Sequence, residues 1–463
     1  MVHASLAKLI GRPPHPRGGG EALSKGVSVA KQRSGGIFYG WWIVVGCCFL
    51  QACCLGLMMN SAGIFYTPVT EDLGIGLGPL AMYVTVYFFV TTFTYPFVAR
   101  ILPKYNINVV LSIAVVICCV AMALMSTYTS VWQWYFSGVL YGIGGAFVFV
   151  VAATVLIENW FDKKRGLALG ITQCCSGLGG AVFPIVGTML INQIGWRSTY
   201  LLLAVVAAIL VLPWTLFVFK FKPEDKGLKP YGYEEKKTDE GSLVAVYPGV
   251  PAKKAIFTLA FWALFLYGGV EALMSGYNTH LPGFSVAIGL GDMFGSEMLA
   301  LAQIGYVVAT IGIGWLTDRI GVVVPSFITL AITALSLLGF AVLRDQLPLA
   351  VCAFFFGTNS VIITISMATL VADIFGRKDY AKILSYLRMS GCIAAFGSSA
   401  IGFVYDATGQ FDISFYAGVV IIALCAVLVG IAVSQKKKIH QKLWVETDEG
   451  SSETSGTPAT TIS

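Results

Sequence analysis

The chain has 463 residues, 57% of them hydrophobic and 12% charged, with a net charge of +6. A soluble domain carries about 25% charged residues, so most of this surface does not face water, and the +6 is not a nucleic-acid footprint. All 11 cysteines fall in apolar stretches and none forms a CxxC pair, which excludes a disulfide framework and a zinc site and leaves no metal or cofactor expected.

Residues 1–36 are basic and rich in Gly and Pro, without the short apolar core and small-residue cleavage site of a secretory leader. They are expected to be a disordered cytoplasmic segment. Apolar spans follow at 38–66, 79–99, 108–127, 131–157, 167–193 and 199–221. Each is long enough to cross the hydrocarbon core. A polar stretch, 222–255, holds Lys222, Glu224, Asp225, Glu234, Glu235, Lys236, Lys237 and Asp239 and reads as a linker. Six more spans follow at 256–281, 296–317, 322–343, 347–372, 380–404 and 412–434, and residues 436–463 form a tail rich in Ser, Thr and acids towards its end. The expected fold is an all-α membrane protein of twelve transmembrane helices in two six-helix halves, 37–221 and 256–435.

The basic residues set its orientation. All except Arg197, Arg344 and Arg388 fall on one side, with the termini, the linker and the turns carrying Arg100, Lys104, Lys163–Arg165, Arg319, Arg377, Lys378 and Lys382. The expected arrangement is a multi-pass protein of the plasma membrane with both termini cytoplasmic. The two halves also repeat. Trp160-Phe161-Asp162-Lys163-Lys164 resembles Ile374-Phe375-Gly376-Arg377-Lys378, and both Phe161/Phe375 and Gly195/Gly409 lie 214 residues apart. A parallel repeat of six spans is a transporter architecture with its site near the midplane between the halves.

Four further segments point to a family. Gly314-Trp315-Leu316-Thr317-Asp318-Arg319-Ile320-Gly321, between spans eight and nine, resembles the GxxxDRxG loop of the major facilitator superfamily. Tyr39-Gly40-Trp41-Trp42 opens span one, Asn159-Trp160-Phe161-Asp162-Lys163-Lys164-Arg165-Gly166 follows span four, and Gly402-Phe403-Val404-Tyr405-Asp406-Ala407-Thr408-Gly409 closes span eleven. Together they look like the oxalate/formate antiporter and monocarboxylate porter branch. The resemblance implies a gating role for Gly314, Asp318, Arg319 and Gly321 at the cytoplasmic face. The counterpart loop, Arg100 to Asn108, has lost the acid, which implies a weaker latch in the first half. The resemblance also implies that a cation on span eleven holds the substrate carboxylate, a place filled here by Arg388. The second cation that oxalate exchangers carry on span eight is missing, with Gln303 and Tyr306 the nearest polar groups. That departure favours a monoanion, or a larger acid held by one charge.

The residues themselves agree with an anion site. A guanidinium inside a bilayer is costly unless it faces a cavity or partner, and its fork fits a carboxylate. A permanent ion pair between helices is the competing role for Arg388. Glu271 is the acid deep within span seven and a candidate proton-coupling residue, or else a static counter-ion. It lies ~21 Å from the basic end and Arg388 ~12 Å, counted at 1.5 Å per residue. Asn60, Asn359 and Gln303, with Tyr83, Tyr87, Tyr141, Tyr267 and Tyr306, are candidate cavity-lining residues, although polar groups also glue helices together. His280 reads as a solvated histidine near the outer end of span seven. Trp41, Trp42, Trp132 and Trp134 read as an interfacial belt.

The function expected is secondary active transport of small carboxylates by alternating access, as proton symport or anion exchange, by a monomer in the bilayer with no nucleic-acid partner. A neutral solute such as a sugar or drug is the alternative cargo. An enzyme or receptor is less consistent with the chain, which has no HExxH, no GxxxxGK[ST] phosphate loop and no sizeable soluble domain.

Overall fold

The computed structural model describes residues 38–102, 104–232, 249–361, 366–376 and 378–443. The basic N-terminal segment, the acidic part of the linker and the Ser/Thr-rich tail lie outside them. Among the described residues all regular structure is helical, apart from two isolated backbone bridges. In lipid every backbone polar group must be satisfied within its own segment, and an α-helix does that.

The passes run α1 Tyr39–Leu73, α2 Leu77–Val98, α3 Ile107–Met125 and α4 Val131–Trp160. The next apolar helix, Arg165–Val218, is 54 residues long but is not one rod. At Gly195 the backbone leaves helical geometry (φ 78°, ψ 161°). A methyl carbon added at Gly187 would lie 3.8 Å from Leu203 Cδ1, whereas sixteen residues of straight helix span ~24 Å. The chain therefore folds back, giving α5 (165–194) and α6 (196–218). The second half holds α7 Leu259–Ala287, α8 Gly291–Ile320 and α9 Val323–Val342. Then come α10, described as Gln346–Val361 and Met367–Phe375, α11 Lys382–Thr408 and α12 Asp412–Ser434, with a short basic helix α13 Lys436–Leu443. Among the described residues this makes twelve passes, α10 in two pieces, in two sets of six.

The repeat has a structural counterpart. Gly195 and Gly409 both take positive φ, 78° and 69°, the left-handed region that glycine enters without strain. Phe161 and Phe375 are both fully buried. The linker is stitched to the same place in each half. Tyr231 N–H donates to Trp160 O at 2.8 Å and Asp162 N–H to Tyr231 O at 3.0 Å, while Val250 N–H donates to Phe375 O at 2.8 Å. The second stitch is reinforced by Asp379. Its carboxylate accepts from Ala252 N–H at 2.9 Å and from Lys382 Nζ at 3.1 Å, and these bonds, the backbone one foremost, hold it below the usual carboxylate range.

The halves meet mainly at the end remote from the basic residues. There α2 packs on the second part of α11, α1 on α7, and α5 on α8. Thr85 Oγ1 donates to Ala395 O and lies 2.9 Å from Ser399 Oγ, and the Thr188 and Ser296 hydroxyls pair, all buried. The ion pairs seen, such as Arg197–Asp72 and Arg344–Asp412, stay within one half. Trp132 is exposed as a belt residue should be, but Trp134 is fully buried against Tyr128 and Trp196. The tryptophan belt expected from span ends is corrected at that position. Periodicity from a span end does not say which side faces the bundle.

Candidate substrate site

Two central passes lose regular α-geometry where their ionisable residues sit. In α7 the α-helix Leu259–Ala272 gives way to i→i+3 bonds (Met274 N–H to Glu271 O, 2.8 Å) before Ser275–Ala287 resumes. In α11 the α-helix Tyr380–Arg388 passes into a 3₁₀ stretch, Met389–Phe396, and back to α-helix at Gly397. Glu271 and Arg388 thus flank the two irregularities. Broken passes of this kind form the midplane sites of transporters, and short 3₁₀ runs inside helices mark hinges.

The two side chains share one cavity of about 80 Å³, lined also by Tyr267, Met367, Leu387 and Ser390. Gly268 and Gly269 let α7 approach α11 here. A methyl carbon at Gly269 would lie 3.1 Å from Ser390 O. Arg388 is exposed, and it is near enough to Tyr380 and to Tyr95 of α2, in the other half, to interact with both electrostatically. Glu271 and Tyr267 are each 1% exposed, and neither carboxylate oxygen of Glu271 nor the Tyr267 hydroxyl has a hydrogen-bond partner. A buried, unpartnered polar group costs stability of order 1–3 kcal/mol. Three such atoms belong to residues that line one cavity with the guanidinium.

The remaining candidates do not converge on that cavity. Asn60 and Gln303 meet over Gly180, with Tyr306 by Gly177, at a crossing of α1, α5 and α8 between the halves. Tyr83 and Tyr141 line a separate void of about 10 Å³ with Met58, Phe65 and Tyr200, inside the first half. That is room for about one water. Tyr87 packs at a tilt against Phe149, ring centroids 5.8 Å apart. Asn359 is buried with its Oδ1 unpartnered. At the basic end, the Arg319 guanidinium lies over the Trp315 ring at 4.2 Å, and Asp318 is exposed and pairs with no cation among the described residues. Gly321 (φ 81°) turns the chain into α9, and Gly314 is half-buried. His280 is 2% exposed, not solvated, with Nε2–H donating to Ser398 O at 2.8 Å and its ring against Tyr66. Tyr95, Tyr380 and Ser390 were not singled out by sequence. Position eight residues from Arg388 or on a facing pass is the signal that could have found the first two.

Two sets of six passes, two of them broken near mid-span, are the architecture of a secondary transporter. The chain belongs to the Major Facilitator Superfamily, whose sequence pattern matches residues 48–300 and 291–454. It is 23% identical over 89% of its length to monocarboxylate transporter 12 of Xenopus laevis, covering 95% of that protein. It is 28% identical to the MFS-type transporter hasB of Aspergillus fumigatus over 67% of each chain. Among solved structures it resembles a bacterial homolog of the human lysosomal transporter Spinster in an inward-facing, unoccupied conformation, with a TM-score of 0.63, 13% identity, and 89% and 100% of the two chains covered. The nucleoside transporter NupG gives a TM-score of 0.62 at 14% identity, over 87% and 99%. These likenesses carry the fold. The chain is a multi-pass membrane transporter and not an enzyme.

Proposed function

We propose that the chain carries small monocarboxylates by alternating access, with Arg388 as the anion site and Glu271 as the proton site. The observation that carries this reading is the pairing, on one cavity, of an exposed guanidinium with a buried carboxyl that has no hydrogen-bond partner. The guanidinium offers a carboxylate two parallel donors. Tyr267 and Ser390 supply neutral polar groups on the wall. One cation with no second suits a monoanion better than a dianion. A volume of about 80 Å³ holds several waters or one small acid.

Coupling follows from competition for Arg388. A carboxyl without donors is cheaper to bury neutral than charged. With Glu271 protonated, the charge of Arg388 is available to the substrate. With Glu271 ionised, the two compete for it, and the substrate leaves. Proton and anion then travel together, and preloaded anion can exchange without the proton. The match to monocarboxylate transporter 12 over most of both chains supports the same substrate class. The basic end is assigned to the cytoplasm of the plasma membrane, by the excess of Lys and Arg there. The Asn60–Gln303–Tyr306 crossing is read as the septum between halves, and the Gly314–Gly321 loop as the hinge of the basic end.

Reconstituted protein in liposomes tests this. Labelled lactate- or pyruvate-sized acids are expected to accumulate under an inward proton gradient. Arg388→Gln should cut uptake by roughly 100-fold, the scale of losing hydrogen bonds to a charged group, while insertion stays intact. Glu271→Gln should abolish gradient-driven accumulation and spare exchange. Full uptake by inserted Arg388→Gln protein refutes the site.

A further inference from the structure

We propose that Asp406, working with the crossing of Gly78 and Gly402, is the latch that holds the two halves together at the end remote from the basic residues. It must release each time the transporter opens that way. Asp406 stands on α11 of the second half. Its Oδ1 accepts from Leu77 N–H and its Oδ2 from Gly78 N–H, both at 2.8 Å, at the start of α2 in the first half. The first N–H groups of a helix have no intrahelical partner, and they sit at the positive end of the helix dipole. A carboxylate there makes charge-assisted bonds with both. The bond partners are a side chain and a helix end from opposite halves, so separating the halves breaks both bonds at once.

The reach of Asp406 depends on glycine. A methyl carbon at Gly402 would lie 2.7 Å from Gly78 Cα, and one at Gly78 would lie 2.8 Å from Phe403 N. Backbone atoms cannot swing aside, so any side chain here wedges α2 from α11. Two turns further along, Thr85 bonds to Ala395 O and approaches Ser399, which continues the same seam. Asp406 itself is exposed, so water can take over its oxygens when the seam opens. At the basic end the contact across the halves is of another kind, Arg388 of α11 lying near Tyr95 of α2. Arg319 lies over Trp315 and Lys104 over Tyr105, each within its own half.

Hydrogen exchange of the full chain in lipid nanodiscs tests the latch without any substrate, so its outcome is independent of the carboxylate reading. In Asp406→Ala, amides of segments 77–85 and 395–406 should exchange roughly 10- to 100-fold faster, the factor expected from hydrogen bonds to a charged group. Segments 93–101 and 380–391 at the basic end should slow in return, because opening one end closes the other. Gly402→Val should act in the same direction through the wedge. The exposed position of Asp406 leaves its alanine variant able to fold if the valine variant does not. Faster exchange confined to the first turn of α2, with the basic end unchanged, would reduce Asp406 to a helix cap and overturn the proposal. Unchanged exchange everywhere would overturn it as well.

Discussion

The two ends of this molecule are held in different ways. At the remote end, small residues bring backbones of opposite halves together, and short polar bonds cross between them: Asp406 to α2, Thr85 to Ala395, Thr188 to Ser296. At the basic end, where most of the charge lies, the ion pairs and cation–ring contacts among the described residues stay within a half, as in Lys436–Asp373, Arg165–Asp162 and Arg319 over Trp315. Charge density and inter-half adhesion are thus separated in space. Exposed ion pairs contribute ~0–1 kcal/mol, whereas buried hydroxyl and charge-assisted bonds contribute ~0.5–3 kcal/mol each. The end with fewer charges therefore holds more firmly.

This contrast can be broken by measurement. Arg388→Gln should have the largest effect, the roughly 100-fold loss of uptake given above. Gly63→Val comes next. A Cβ at Gly63 runs into Thr279 O of α7, and overpacking of this kind costs about 1–3 kcal/mol. A thermal-shift assay in detergent should show the loss. Thr85→Val keeps the shape and removes the hydroxyl, so it should cost ~1 kcal/mol by the same assay. Asp318→Asn should change stability by less than ~0.5 kcal/mol, because Asp318 is exposed and pairs with no cation among the described residues. A drop as large as that of Thr85→Val would mean that the basic end carries a latch after all.

The smallest effect is one of pH. The Asp379 carboxylate lies below its usual range because Ala252 N–H and Lys382 bond to its ionised form. A depressed carboxylate stabilises docking above its unfolded value, ~3.9, and that contribution is lost as pH falls through the lower folded value. Exchange of segment 249–256 should therefore be flat from pH 5 to 8, after correction for intrinsic rates, and rise only below about pH 4. A rise near pH 6 would show that another group holds this stitch.

Much of the fold was legible in the sequence, and much of the site was not. Span number and the 214-residue repeat come from hydropathy and from Phe and Gly spacing, signals that the bilayer and the backbone impose directly. Arg388 and Glu271 were legible because an ionisable residue deep in an apolar span is expensive wherever it points. That they share a cavity depends on the 3₁₀ run after Arg388 and the tightened turn after Glu271, which no local pattern announces. The tyrosines dispersed, since Tyr83 and Tyr141 turn into their own half and Tyr267 into the Arg388 cavity. An aromatic at helical spacing carries no information about which neighbour it meets. His280 looked like an interfacial residue because its distance along the span was countable and its rotation about the helix axis was not.

The linker stitches have a consequence for how the protein can be assembled. Tyr231 is bonded to the first half and Val250 to the second, and the nineteen peptide steps between them reach at most about 65 Å when fully extended. A seam fastened at both margins does not need its cloth to be continuous. Two separately made polypeptides, divided between residues 232 and 249, would each keep their own fastening and could pair through the far-end contacts. Covalent continuity at the centre then serves to supply the halves one to one, while their mutual shape is set elsewhere.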